Sequence, residues 1–238
     1  MERSLNSLIG YSIMAKDGEL GKVAEFYFDD KNWMVRYLVV ETGNWFFNKK
    51  VLLPHKVLGS VDWEKETFNV DLTMKQVAGS PDVETKLTVS SQHEMELFSY
   101  YALPYYWSDL ALTAPIINLQ PDPVMDEDGK VIPPPKKNPH LCSSEIVDGF
   151  HIQTHEGAIG HLADFLLDDD TWTISSLIVN KNNWLPEEKM LLSPKWVDHI
   201  DWDESKIYVD LSKETIENSP EFNPISLIGT DFQDPKKV

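Results

Sequence analysis

The feature that most constrains this chain is an internal duplication: adding 139 to a residue number in its first third lands, without a gap, on a matching residue further on. Gly10, Gly18 and Gly21 fall on Gly149, Gly157 and Gly160, Phe26 on Phe165, and Asp29-Asp30 on Asp168-Asp169. Trp33 falls on Trp172, Leu38 on Leu177, Asn44-Trp45 on Asn183-Trp184, and Leu52-Leu53 on Leu191-Leu192. The match closes with Asp62-Trp63 on Asp201-Trp202, Val70-Asp71-Leu72 on Val209-Asp210-Leu211, and Ser80-Pro81 on Ser219-Pro220. Roughly a third of about 72 aligned positions are identical, far more than chance allows for an uninterrupted unit. Each copy must therefore bury the same core. The expected organisation is a first module at 1–84, a connector at 85–142, a second module at 143–223 and a tail at 224–238.

Each copy reads as strands. YSIMA and KVAEFYFD flank Lys16-Asp17-Gly18-Glu19, where an Asp-Gly pair favours a tight hairpin turn. Asp29-Asp30-Lys31-Asn32 is a polar turn into WMVRYLVVE, a run rich in β-branched and aromatic residues. KKVLLP is stopped by proline, and TFNVDL alternates apolar and polar residues at period two. The second copy repeats this order with WTISSLIVN, KMLLSP and KIYVDL. A helix signal follows in each copy: Thr73 with Gln76 makes a capping box, whereas Ser212 with Thr215 makes an incomplete one. Short strands without a long helix to cover a flat sheet favour a small, closed or nearly closed barrel. The fold class expected is all-β: two small barrels related by an approximate two-fold axis, with a short connector helix.

The order LIGYSIMAKDGELGKVAEFYFDD, MVRYLVVE, KKVLLPHKVLGSVDW and FNVDLTMKQVAGSP resembles the PRC-barrel domain, and EIVDGFHIQTHEGAIGHLADFLLDD through YVDLSKETIENSP resembles a second one. The resemblance covers about residues 5 to 84 and 144 to 223 and rests on turn and core positions. It implies a small barrel that meets other proteins, as in the reaction-centre H subunit and a ribosome maturation factor. The membrane helix of the first and the extra domain of the second have no counterpart here, so neither activity is carried over.

Charge narrows the partners. With 21 basic and 39 acidic side chains the net charge is −18, which opposes phosphate backbones, so no nucleic acid is expected. Residues 1 to 84 carry 10 basic and 13 acidic groups (−3), whereas residues 143 to 238 carry 7 and 19 (−12). A basic protein is the partner that such a field would steer. No run approaches the roughly 18 apolar residues of a membrane helix, and the start lacks a secretory signal. No membrane insertion and a cytoplasmic location are expected, and the single Cys142 fits a reducing compartment.

No grouping of residues amounts to a catalytic, cofactor or metal site. Gly18 and Gly21 sit in a hairpin with no helix N-terminus to bind phosphate; Asp29-Asp30 and Asp168-Asp169-Asp170 read as solvated turns rather than calcium loops. His151, His155 and His161 share one hairpin, where His151 and His161 can face each other, and read as exposed strand and turn residues. Cys142, two residues from His140 beside a proline-rich tract, lacks a scaffold for a nucleophile and base.

Aromatic residues make better candidates for a partner interface. Trp45 and Trp184 recur, yet Phe46-Phe47 follow the first and Leu185-Pro186 the second, as in loops that meet different neighbours. In the connector, Ser91 and Glu94 form a capping box, and Met95, Phe98, Tyr101 and Ala102 share one helical face within Gln92 to Leu103. Tyr105-Tyr106-Trp107 follow. This stripe docks on its own barrel or on a neighbouring subunit of a homo-oligomer. The function expected is a non-enzymatic protein-binding or scaffolding module. The alternatives are a metal-dependent hydrolase using acidic residues of the second module, or an accessory factor in RNA processing or ribosome assembly by family analogy.

Overall fold

The computed structural model describes residues 1–43, 49–80, 91–103, 141–181 and 189–217; of the side chains of 91–93 and 216–217 nothing is said. The chain is mostly β with few helices. Its strands in order are β1 (Glu2–Ser4), β2 (Ser12–Ala15), β3 (Gly18–Asp29), β4 (Met34–Thr42), β5 (Lys50–Pro54), β6 (Leu58–Asp62) and β7 (Thr67–Val70). Then come β8 (Leu141–Ser143), β9 (His151–Thr154), β10 (Gly157–Asp168), β11 (Thr173–Asn180), β12 (Lys189–Leu192), β13 (Val197–Asp201) and β14 (Lys206–Val209). The helices are α1 (Met74–Ala78), α2 (Ser91–Tyr100), α3 (Ser144–Val147) and α4 (Lys213–Glu217). The offset of 139 that relates the residues also relates these elements, from β1 and β8 through to α1 and α4. It extends to unusual backbone: Trp33 and Trp172 take φ of 52° and 57°, Glu66 and Ser205 52° and 53°. Such conformations are uncommon outside glycine, so their recurrence marks the same turn built twice.

The chain divides into two compact units, one of residues 11–24 and 37–141, the other of 1–10, 25–36 and 142–238. In the first unit the strand order is β6-β7-β2-β3-β4-β5. β2 pairs antiparallel with β3 and parallel with β7, β6 with β7, and β5 with β4. Alternation explains the core: Ile13, Phe68, Val39 and Leu53 are buried, while Ser12, Thr67 and Asn69 point outward. The turn between β2 and β3 falls on Lys16 and Asp17, and Gly18 opens the following strand at φ 157°. Helix α1 carries the expected capping box, Thr73 accepting from the Gln76 N–H and the Gln76 side chain closing back on Thr73. Helix α2 buries Leu97 and Phe98.

In the second unit β13-β14-β9-β10-β11-β12 repeat that order. Here β1, which precedes the first copy, pairs with β10 of the second copy through Glu2↔Asp168, Arg3↔Leu167 and Ser4↔Leu166. β8, which precedes the second copy, pairs with β3. Its end is tied by a 2.5 Å hydrogen bond from Ser143 Oγ to Glu25 Oε2, and the Phe26 N–H donates to Ser144 Oγ at 3.1 Å. The segments 25–36 and 172–174 bond reciprocally: the Val35 N–H donates to the Trp172 carbonyl (2.8 Å) and the Ile174 N–H to the Trp33 carbonyl (2.6 Å). Phe28 lies 5.1 Å from Phe165 and stacks 5.6 Å from Trp33, so the core of this unit draws aromatics from both copies.

Two small closed barrels do not describe these sheets. Among the described residues no pairing joins β5 to β6 or β12 to β13, so each strand order is open. The reason lies in β3 and β10, each twelve residues long beside a four-residue β2 or β9. The uncovered part of each long strand takes a strand from outside its own copy instead of curling back to close a ring. At the open ends β6 and β13 are short and carry irregularities in their pairing, which limits their use as templates for further pairing.

Candidate binding surface

The outward faces of the two sheets place equivalent polar residues in lateral rows. In the first unit the row runs Asp62↔Thr67, Thr67↔Ser12 and Ser12↔Lys22. Lys22 is exposed, and Ser12 Oγ donates to Glu19 Oε1 at 3.1 Å. Beyond Lys22 the row opens into a shallow cavity of about 430 Å³ lined by Glu19, Leu20, Gly21, Lys22, Glu41, Thr42 and Gly43. Gly21 is required there: its φ is 155°, and a Cβ would run into the Glu41 backbone carbonyl. The cavity therefore presents one ammonium between two exposed carboxylates, suited to a polar or charged protein group.

In the second unit the same row runs Asp201↔Lys206, Lys206↔His151, His151↔His161 and His161↔Asn180. Asn180 Nδ2 lies 3.2 Å from His161 Nε2. Lys206 Nζ is held 2.7 Å from Glu204 Oε2, which draws the Glu204 carboxyl below its ordinary range and the Lys206 ammonium above its own. Further out, His199 stacks on Tyr208 at 4.6 Å, and Trp202 stays 39% exposed beside Phe150. His155 lies in the β9–β10 turn, exposed and away from the row.

The acidic turns are occupied by their own chain. Asp29 Oδ1 accepts the N–H groups of Lys31 and Asn32, and Asp168 Oδ1 those of Asp170 and Thr171. Both are side chains capping their own turns. Asp29 Oδ2 also accepts from Arg36 Nη2 at 3.1 Å, with both side chains under a tenth exposed. Asp168, Asp169 and Asp170 come within 4.8 Å of one another, but Asp169 accepts from the Met1 ammonium (2.5 Å) and Arg3 Nε (2.7 Å). Burial works to raise the Asp169 carboxyl; the hydrogen bonds from the amino terminus and Arg3 outweigh it and hold the carboxyl below the ordinary range. Cys142 sits in β8, and burial first, then Asp30 and Asp29, pushes its thiol far up, which disfavours the thiolate a nucleophile needs.

Of the residues expected at an interface, Phe98 is 3% exposed and meets Tyr37 edge-on at 6.2 Å within its own unit. Met95 and Tyr101 are half-buried, and burial pushes the Tyr101 hydroxyl up to about 12. Glu94 does not point only along its helix: it is buried, and its Oε1 accepts from the Tyr37 hydroxyl at 2.8 Å. Trp45, Phe46, Phe47, Tyr105, Tyr106, Trp107 and Trp184 lie outside the described residues. The polar row, which runs across strands distant in sequence, was not among the expected interface residues; its one legible trace was the facing of His151 and His161.

With this geometry in view, comparison with known proteins decides one point. Residues 1–77 match the family model of the PRC-barrel domain. The match covers β1 to β7 and most of α1, so the first row and its cavity lie within the stretch that is similar to that domain. No curated protein matches the chain. Among the described residues no helix is long and apolar enough to cross a membrane.

Proposed function

We propose that the chain is a non-enzymatic binding or scaffolding protein made of two PRC-barrel modules in tandem, each offering its sheet face to a different protein surface. The observation that carries this reading is the contrast between the two faces of the duplicated sheet. Most inward positions stay apolar in both copies: Ile13 and Ile152, Leu20 and Ile159, Val40 and Val179, Phe68 and Ile207 are all buried, while Ala15 and Tyr37 give way to buried Thr154 and Ser176. Outward positions of the row change: Ser12 to His151, Lys22 to His161, Glu41 to Asn180 and Thr67 to Lys206, with Asp62 and Asp201 alone retained. Folding needs only the first set, and exposed surface is where binding specificity is written. The reciprocal bonds of Val35 and Ile174 support an approximate two-fold relation between the copies, which is part of this proposal.

The partner we infer is basic, since the second copy holds most of the negative field. The test is recovery of proteins bound to the full chain in its native cells, beside a variant carrying Asp203→Asn and Asp210→Asn, which removes two exposed carboxylates of the second copy. A basic partner retained by the wild type at low salt, weakened by the variant and released as salt shortens the screening length below about 10 Å supports the reading. Identical recovery by both proteins, or a partner indifferent to salt, overturns it.

A further inference from the structure

We infer that His151 and His161 form a binding site for a divalent transition-metal ion. The argument begins with backbone pairing. The His151 N–H donates to the Ser205 carbonyl, on the side away from β10, and one step along the ladder the Leu162 N–H donates to the Phe150 carbonyl at 2.8 Å. His151 and His161 are direct partners in that antiparallel ladder. They therefore occupy a non-hydrogen-bonded position, where side chains on the same face come closest, with Cβ atoms roughly 4.5 to 5.5 Å apart. Ile152 and Leu162, the next residues, are buried, so the two imidazoles project outward.

Their surroundings leave nitrogen available. His151 is exposed, and neither of its ring nitrogens has a hydrogen-bond partner among the described residues. The His161 ring is engaged at Nε2 by the Asn180 amide, which leaves Nδ1. Asn180 Oδ1 is itself buried without a partner. Turned over, that amide sets its oxygen against an Nε2–H and fixes Nδ1 as the metal-binding nitrogen, the carbonyl-to-histidine support common around metal ligands. Lys206, beside His151, is paired with Glu204, so its charge is spent there and not on an incoming cation. Two neutral imidazoles favour borderline ions, with Cu2+ ahead of Ni2+ and Zn2+. The first copy has Ser12 and Lys22 at these positions, a pairing that holds no metal.

The test uses the full chain stripped of metal and titrated with Cu2+ and Zn2+ by calorimetry, with electron paramagnetic resonance to count nitrogen ligands. One equivalent of Cu2+ with two imidazole nitrogens, bound more tightly than Zn2+, is expected. His151→Ala and His161→Lys should each weaken it at least tenfold, while His155→Ala, in the same hairpin but at its turn, leaves it unchanged. Circular dichroism establishes that the variants stay folded. Wild-type affinity in both variants, an equal loss in His155→Ala, or a loss seen only in Asp170→Asn would place the ion elsewhere and end the proposal.

Discussion

The two copies of the duplicated sheet keep most of their apolar core, with exchanges such as buried Tyr37 for buried Ser176, and part more widely where they are wet. Phe26 and Phe165 are both sealed inside, at 0% and 3% exposure, whereas Lys22 and His161 share a backbone position and nothing else. A core side chain touches many neighbours in a close-packed interior, so a change there is felt throughout. A solvent-facing side chain on the same strand is constrained by β-propensity and by one or two lateral neighbours. After duplication, the outer face was the part free to acquire a second chemistry.

The largest test of that comparison is truncation of the shared core. Phe26→Ala and Phe165→Ala should each cost about 3 to 5 kcal/mol in urea unfolding; a twofold disparity would show that the copies do not share one core logic. Phe98→Ala probes helix α2, which follows the repeated unit of the first copy, and should cost about 3 kcal/mol through the lost contact with Tyr37. An unchanged melting temperature would mean that α2 does not hold its place in solution. The bulge glycines come next. Gly21→Ala and Gly160→Ala should each destabilise by more than about 1 kcal/mol, since both have positive φ and both would drive a Cβ into the facing carbonyl, of Glu41 or Asn180.

Alkaline titration compares two tyrosines, buried Tyr27 of one unit and half-buried Tyr101 of the other. Burial first pushes both Tyr27 and Tyr101 up to about 12, with Glu25 and Glu145 adding to the effect at Tyr27. The folded state therefore favours the neutral phenol. That contribution is complete below the unfolded value near 10 and is lost as pH rises toward 12. Stability measured across this window should fall, and Tyr27→Phe or Tyr101→Phe should flatten the fall. The smallest effect belongs to the outer row: Glu41→Asn, which writes the second copy's residue into the first, should change stability by no more than about 0.5 kcal/mol. A larger change would mean that the row serves folding as well as recognition.

Most of the strand layout was legible. Period-two alternation in TFNVDL and KIYVDL, the polar turns at Asp29 and Asp168, and the capping box of Thr73 with Gln76 all act within a few residues, where local chemistry decides. The helix of the connector was legible too, but the role of Glu94 was not. A glutamate three residues after a serine reads as a cap, whereas its bond to Tyr37 joins residues 57 apart in sequence.

By itself, then, the sequence determined the duplication, the order of strands within each copy, and the facing of His151 and His161 across one hairpin, because each follows from local pairing or from identity at a constant offset. Only the tertiary structure decided that β1 pairs with β10, that Arg36 reaches Asp29 in a buried pair, and that Asp201, Lys206, His151, His161 and Asn180 form one lateral row. Strand edges are chemically alike, since every backbone offers the same N–H and C=O groups. Which edge a three-residue strand such as Glu2–Ser4 joins is settled by the long-range packing that leaves an edge uncovered, and no local pattern records it.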